Sequence, residues 1–573
     1  MLIFYDFEVF LYEWLVVLIK PDEEDVQVIV NDSEALTKYY EENKDAIFIG
    51  YNNIRYDQFI FKSILLGMNP KEVNDFIIVE GKSGWQFSNL FNKIKMYNYD
   101  VIQTTYSLKQ LEGFMGNEIK ETSVRFDIDR KLTKEELEET IKYCKSDVMN
   151  TIEVFMNTIN DFNAIISLIK TFNLPFNYIS KTKAQISAII LGCERKKWDD
   201  EFDISIVDTF KINKYKPVLD WFKDKDNMDY SKGFEFEIAG VNHNFGWGGV
   251  HGAKENYHSK GCIIHVDVTS YYPSLMIEYN FLTRNCKEPK KYKEIYDIRV
   301  ALKKAGKKKE QAPYKIVLNA TYGICKDKYS LAYDPRQANN ICVNGQLLLV
   351  DLIEKLESIE GFELIQSNTD GLIVKIPDTD KAFNELDDIC YEWEKRTKMG
   401  LGFDFIDEIW QKDVNNYIFH FEDIPENGKN RNKLERKGGY VKELNELDNN
   451  LPIITKAVVD YLTEGIKVED TINNCDDLKQ FQMICKITNK YKCLIYDNNI
   501  LNERCVRVFA SIDKNKGGLF KLHNDKEKPD KFPSTPENLF IINENVNNMS
   551  VPKELDRNFY INMAKERLEK FGV

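Results

Sequence analysis

The run LIFYDFEVF near the start of the chain reads as a buried strand, yet it carries two acids, Asp6 and Glu8. Side chains alternate along a strand, so residues two apart face the same way and both carboxylates can meet one metal ion. Acids meet apolar strands twice more. GCIIHVDV ends on Asp267, where a carboxylate can face a cleft, and a helix is predicted to follow from near Pro273. FELIQSNTDGLIVKI is two alternating apolar runs around Asn368-Thr369-Asp370-Gly371, a β-hairpin signal.

Helical segments supply further polar groups. The strand-like AIFIGYN runs into NIRYDQFIFKSILL, which has helical spacing, and Asp57 sits at that junction four residues after Asn53. TKEELEETIKYCKSDVMNTIEVFMNTI is an amphipathic helix with Thr133 as its cap before Glu136; Tyr143 and Asp147, four apart, share a face. In APYKIVLNATYGICKDKY, Lys315, Asn319 and Tyr322 form one polar stripe, and Arg299 and Lys303 share a helix face upstream. Each feature has an ordinary reading by itself: charges on an edge strand, a helix-start Asp, a solvent-facing pair, turn chemistry at a hairpin tip.

Composition narrows the class. At 573 residues the chain exceeds one hydrophobic core, and 43% hydrophobic residues suffice to fill several. Asp6, Glu8 and Glu13 interrupt the first apolar stretch, which is therefore no signal peptide, and no apolar run of about 18 residues suggests a membrane span. A cytoplasmic protein is expected. Eleven cysteines form no CxxC pair and six histidines no HExxH, so zinc or iron–sulfur chemistry has no support and reduced thiols are expected. The net charge of −14 averages a field that acts locally. Arg284–Lys309 holds eleven basic residues against three acidic ones, and Lys429–Lys442 is a second basic stretch; each reads equally as a solvated helix face or a groove for a polyanion.

In combination the segments resemble a known family. Asp6-x-Glu8, Asn53-x3-Asp57 and Tyr143-x3-Asp147 resemble, in order, the three motifs of the DnaQ-like, RNase H-fold proofreading exonucleases, and Ser107-Leu108-Lys109-Gln110-Leu111 resembles that group's primer-end motif. Asp267-Val268-Thr269-Ser270-Tyr271-Tyr272-Pro273-Ser274, Lys315 through Gly323 and Asn368-Thr369-Asp370-Gly371 resemble the polymerase motifs of family B DNA polymerases. Phe245 through Gly252, with Gly248 and Gly249, resembles the linker between that family's two active sites. Departures are Tyr271 for Leu, Ala320 for Ser, Asn368 for Asp, and Asn415-Asn416-Tyr417 for Lys-x-Tyr.

The resemblance implies an α+β multidomain chain, an RNase H-like exonuclease domain followed by a right-handed polymerase domain of palm, fingers and thumb. The implied map is exonuclease 1–185, connecting region 186–258, palm 259–283 and 342–442, fingers 284–341 and thumb 443–573. Two Mg²⁺ per active site, replaceable by Mn²⁺, would be held by Asp6, Glu8, Asp57 and Asp147 in one site and by Asp267, the Val268 carbonyl and Asp370 in the other, with Tyr143 orienting the attacking water. Arg299, Lys303, Lys315, Asn319, Tyr271, Tyr272 and Tyr322 would serve the incoming dNTP, Tyr272 excluding ribose. Asn53, Ser107, Leu108, Gly248, Gly249, Thr369, Tyr417 and Lys437 would contact primer–template DNA, mostly at phosphates. The chain is expected to act as a monomer with replisome accessory proteins.

The exonuclease motifs begin at residue 6, so the N-terminal domain of larger members is expected to be missing. Lys315 follows Asp267 by 48 positions and Asp370 follows Gly323 by 47, which leaves little space for the insertions of protein-primed polymerases. The compact plan resembles a bacteriophage or mobile-element replicase, acting in a bacterial host's cytoplasm. Two rival readings differ in class: a nuclease whose polymerase half is inactive, with Asn368 as the trace, and a non-catalytic scaffold on primer–template.

Overall fold

The computed structural model describes residues 1–21, 25–102, 106–421 and 434–573; part of the basic stretch 429–442 lies outside them. The chain forms two compact units, each discontinuous in sequence. One comprises Met1–Lys181, Leu444–Asp460 and Ile466–Met563; the other comprises Thr182–Glu443, Tyr461–Gly465 and Ala564–Val573. Among the described residues no helix is long and apolar enough to cross a membrane.

In the first unit, β1 (Leu2–Val9), β2 (Trp14–Lys20), β3 (Asp25–Val30), β4 (Ile47–Gly50) and β5 (Tyr97–Asp100) form a sheet of order β3-β2-β1-β4-β5. The first three strands pair antiparallel, whereas β4 and β5 run parallel to β1. β1 is central and buried on both faces, which is why its sequence is a continuous apolar run broken only by its acids. Tyr5, Phe7, Phe48 and Phe61 pack edge to face in the core behind it. The amphipathic helix Lys134–Asn157 lies against β1 and β2, with Phe155 edge-on to Phe4 at 5.2 Å. It starts as its sequence predicts: the Thr133 hydroxyl accepts from the Glu136 amide and Glu136 accepts from the Thr133 amide.

The late segment of this unit adds a sheet of Met483–Lys486, Cys505–Ala510 and Leu539–Ile541, onto which the helix Leu108–Met115 packs. Gly113 permits that approach, since a Cβ there would fall 2.8 Å from the Ile484 side chain. Arg507, with no exposed surface, fixes the contact. Its guanidinium donates to Gln482 and to the carbonyls of Gly113, Asn117, Ile542 and Glu544.

The second unit is built on one antiparallel sheet: β6 (Phe234–Ile238), β7 (Val241–Phe245), β8 (His251–Ala253), β9 (Tyr257–Val268), β10 (Glu363–Asn368), β11 (Gly371–Lys375), β12 (Leu401–Asp413), β13 (Asn416–His420) and β14 (Leu434–Lys437). Their order is β14-β13-β12-β9-β11-β10-β8-β7-β6, so the chain order is heavily permuted. The hairpin expected around Asn368–Gly371 is present as β10 and β11. The helix Pro335–Leu356 is buried along most of its length and carries the core behind the sheet. Pro289–Lys304 and Lys308–Lys326 pair as a helical hairpin, tied by the Tyr292 hydroxyl on the Leu318 carbonyl.

One boundary differs from expectation. The helix after β9 begins at Tyr271, two residues before Pro273. Ser270 turns the chain in a left-handed conformation (φ 53°), and the Ser274 amide closes the first turn on the Ser270 carbonyl. Pro273 therefore falls inside the first turn, where an N–H has no intrahelical partner to lose.

Candidate functional sites

The first unit gathers acids from three separate segments. Asp6 and Glu8 come from β1, Asp57 from the start of the helix Asp57–Leu65, and Asp147 from the helix Lys134–Asn157. The strand period turns Asp6 and Glu8 to one side, and the Phe7 amide between them donates to Asp57 Oδ1 at 3.2 Å. Glu8, Asp57 and Asp147 are all buried. Burial first, and then repulsion from Asp57 and Asp147, hold Asp6 and Glu8 well above the ordinary carboxylate range. Asp57 is pushed up to about 7, mainly by burial against the opposing pull of backbone amides. Asp147 is raised by burial but restrained by the Lys109 ammonium.

A divalent cation fits this set. Ligand atoms of Asp6, Glu8 and Cys144 lie within 4.8 Å of one another. The Cys144 thiol donates to the Asp6 carbonyl and carboxylate (3.3 and 3.6 Å), so it buttresses an oxygen ligand, and the oxygens that remain suit a hard ion such as Mg²⁺. Tyr143 stacks under the Lys109 ammonium at 4.5 Å, one turn from Asp147 on the same helix. The acids open onto a cavity of about 2010 Å³, lined by Asp6, Tyr143, Asp147, Ser107 and Leu108 and, opposite, by Lys486, Lys490 and Arg504. Ser107 caps the helix Leu108–Met115 in a capping box with Gln110. Asn53, expected to contact DNA, has no exposed surface, and its amide donates to Asn98 and the Tyr99 carbonyl, which braces the β4-to-helix turn. Sequence reading assigns Lys109 no role beyond its place in the Ser107–Leu111 motif and none to Glu112 and Cys144, because a lysine, a glutamate and a cysteine on amphipathic helices carry no signal until the helices are packed.

The second unit brings Asp267 and Asp370 together. Gly371 pairs across the sheet with Asp267, and the Val268 amide donates to the Asp370 carbonyl at 2.8 Å. Thr369 takes a left-handed conformation (φ 56°) that turns the hairpin tip, and Gly249 lies beneath it, where a Cβ would stand 2.8 Å from Thr369 Oγ1. Asp267 is pushed up to about 6, by burial first and then by Asp370 and Asp404, with Lys303 opposing. Asp370 is raised by burial, offset by His265 and Lys437. Two half-buried carboxylates of this kind suit divalent cations.

Asp404 is the acid that the sequence did not reveal. It pairs with His265 across β12 and β9, two residues from the Gly402–Asp267 pair, which puts it on the same sheet face as Asp267. Asn368, by contrast, is committed to local bonds: its carbonyl meets the rings and hydroxyls of His251 and Thr369, and its amide donates to the Val414 carbonyl.

The surrounding side chains divide. Arg299 donates to Ser270 Oγ at 2.7 Å, at the helix start beside Asp267. Lys315 and Asn319 lie exposed along the helix Lys308–Lys326, with Tyr322 half-buried on the same stripe and its ring 4.6 Å from Tyr272. Tyr271, expected to serve the incoming nucleotide, is 3% exposed and its hydroxyl donates to the Gly345 carbonyl. Tyr417 is likewise buried, stacked on Phe419 at 4.5 Å, and its strand partner Lys437 is the exposed group of the pair. Gly246 and Gly248 are anchored by Gln346, which leaves Gly248 with open space where a Cβ would be.

No protein-family model matches the chain, and no curated protein shows significant similarity to it. Among solved structures it is similar to the family B DNA polymerase from the hyperthermophilic archaeon Pyrobaculum calidifontis, with a TM-score of 0.43 and 13% identity over 100% of this chain and 77% of that one.

Proposed function

We propose that the chain is a DNA-templated DNA polymerase with a 3′→5′ exonuclease, its two activities resting on the two carboxylate sets. The observation that carries the reading is the convergence of acids from segments up to 141 positions apart, Asp6 to Asp147, into two clusters, each within one unit and each built from motifs that resemble the family's. Divalent ions bound there would activate the attacking oxygen and stabilise the leaving one.

The residues have separate tasks. In the extension site, Asp267 and Asp370 hold the ions, Lys303 and Arg299 bring positive charge to the triphosphate, and Lys315 extends that charge along its helix. Tyr272 and Tyr322 make an aromatic floor for the incoming nucleotide. In the degradation site, Asp6, Glu8, Asp57 and Asp147 hold the ions and Tyr143 orients water. The short intervals between motifs support a compact replicase of the bacteriophage or mobile-element kind.

The test is a labelled primer–template with Mg²⁺, with and without dNTPs. The wild type should extend with dNTPs and degrade without them. Asp370→Ala should lose extension only, and Asp6→Ala degradation only. Extension by Asp370→Ala at the wild-type rate would refute the assignment.

A further inference from the structure

The degradation site contains a resident cation. Lys109 Nζ lies 2.5 Å from Asp147 Oδ1 and 3.1 Å from Glu112 Oε1, and 4.5 Å from the centre of the Tyr143 ring. All the partners are secluded: the side chains of Lys109, Asp147 and Glu112 are 15%, 12% and 0% exposed. Lys109 and Glu112 stand on the helix Leu108–Met115, Asp147 and Tyr143 on the helix Lys134–Asn157, so the ammonium pins one helix to the other at the site itself.

Charge explains the arrangement. Asp6, Glu8, Asp57 and Asp147 carry the charge that two divalent ions balance. Glu112 is a fifth acid beside them, and Lys109 offsets it. The same ammonium sits on Asp147, which would be a metal ligand in this site, and Glu112 gives it an alternative partner on its own helix.

Building on the nuclease reading above, we propose that Lys109 is a positioning residue of the degradation site. Its ammonium holds Asp147 and Tyr143 in place before metal binds, and passes onto Glu112 when a divalent ion takes the Asp147 oxygen. Two opposite effects follow from one side chain. Removing the ammonium removes a competitor for the ion, and it also removes the tether that fixes Tyr143 and Asp147 for hydrolysis. Removing the charge of Glu112 leaves the ammonium on Asp147, and the ion must compete with it there.

The experiment uses the full chain, metal-free, titrated with Mn²⁺ by calorimetry, alongside single-turnover degradation of a labelled single strand. In Lys109→Met, Mn²⁺ should bind about fivefold more tightly while degradation slows by about tenfold or more. Lys109→Arg should recover much of the rate, since a guanidinium can bridge both acids. Glu112→Gln should bind Mn²⁺ more weakly than wild type, and it carries the test if Lys109→Met fails to fold by circular dichroism. Unchanged or weaker Mn²⁺ binding in Lys109→Met, or tighter binding in Glu112→Gln, overturns the proposal. Asp147→Asn separates the two levels. If it degrades DNA like wild type, the nuclease reading itself falls; if it is inactive while Lys109→Met matches wild type in both assays, only the positioning role falls.

Discussion

Asp267 stands directly opposite Gly371 in the antiparallel pairing of β9 and β11, one residue from Asp370. The register of β9 against β11 therefore sets the separation of the two carboxylates. A slip of one residue would turn each side chain of β11 to the other face. Gly371 is also required by space, since a Cβ there would lie 2.9 Å from the His265 ring and 3.2 Å from the Val266 carbonyl. Gly371→Val should lower primer extension by about a hundredfold, as a misplacement near 1 Å does, and leave degradation in place. Parallel extension and degradation assays on one preparation check this.

Asp404 contributes to the raised pKa of Asp267, after burial and Asp370. Metal binding needs ionised carboxylates, so Mn²⁺ affinity at the extension site should weaken as pH falls through about 6, the value to which Asp267 is pushed. Asp404→Asn removes a like charge, which favours ionised Asp267 and moves that weakening to lower pH. Mn²⁺ titrations from pH 5 to 8, in an Asp6→Ala background that disables the other site, read the shift directly.

Asp57 is pushed up to about 7 by burial, from an ordinary value of 3.8. A carboxylate whose folded pKa is raised binds its proton more tightly in the folded chain, so stability falls as pH rises from about 4 to 7. Asn keeps the oxygen that accepts from the Phe7 amide. Asp57→Asn should therefore raise the metal-free melting temperature at pH 8 by several degrees, order of magnitude. The gain should shrink below pH 7 and vanish near pH 4. Mg²⁺ should raise the wild-type melting temperature and not that of the variant to the same degree.

Arg507 satisfies four carbonyls and one amide oxygen inside the first unit. Arg507→Met fills the space but abandons these acceptors in a site without water access. The loss should be about 3–5 kcal/mol, as for breaking other buried charged networks. Urea unfolding of wild type and variant measures it, and degradation should fall with stability because Gly113 lies in the helix that carries Lys109 and Asn117 follows it.

Local chemistry was legible from residues alone. The Thr133 cap, the hairpin around Thr369-Asp370 and the shared face of Tyr143 and Asp147 each depend on neighbours within a few positions, and the periods of strand and helix report these directly. The start of the Tyr271–Glu278 helix was not, since a left-handed serine before it leaves no compositional mark.

What the sequence by itself determined is the supply of acids and the faces on which they stand: Asp6 with Glu8 on one strand, Asp267 at a strand end, Asp370 at a turn. Tertiary structure decided their company. It buried Asn53, Tyr271 and Tyr417, which motif spacing had assigned to ligands, and it set Asp404 beside Asp267 and Lys109 upon Asp147. It also packed the late strands that carry Arg507 against the helix that carries Gly113. The physical reason is the same in each case. Burial, ion pairing and cross-strand register are properties of two segments at once, and neither segment's own sequence records which partner it will meet.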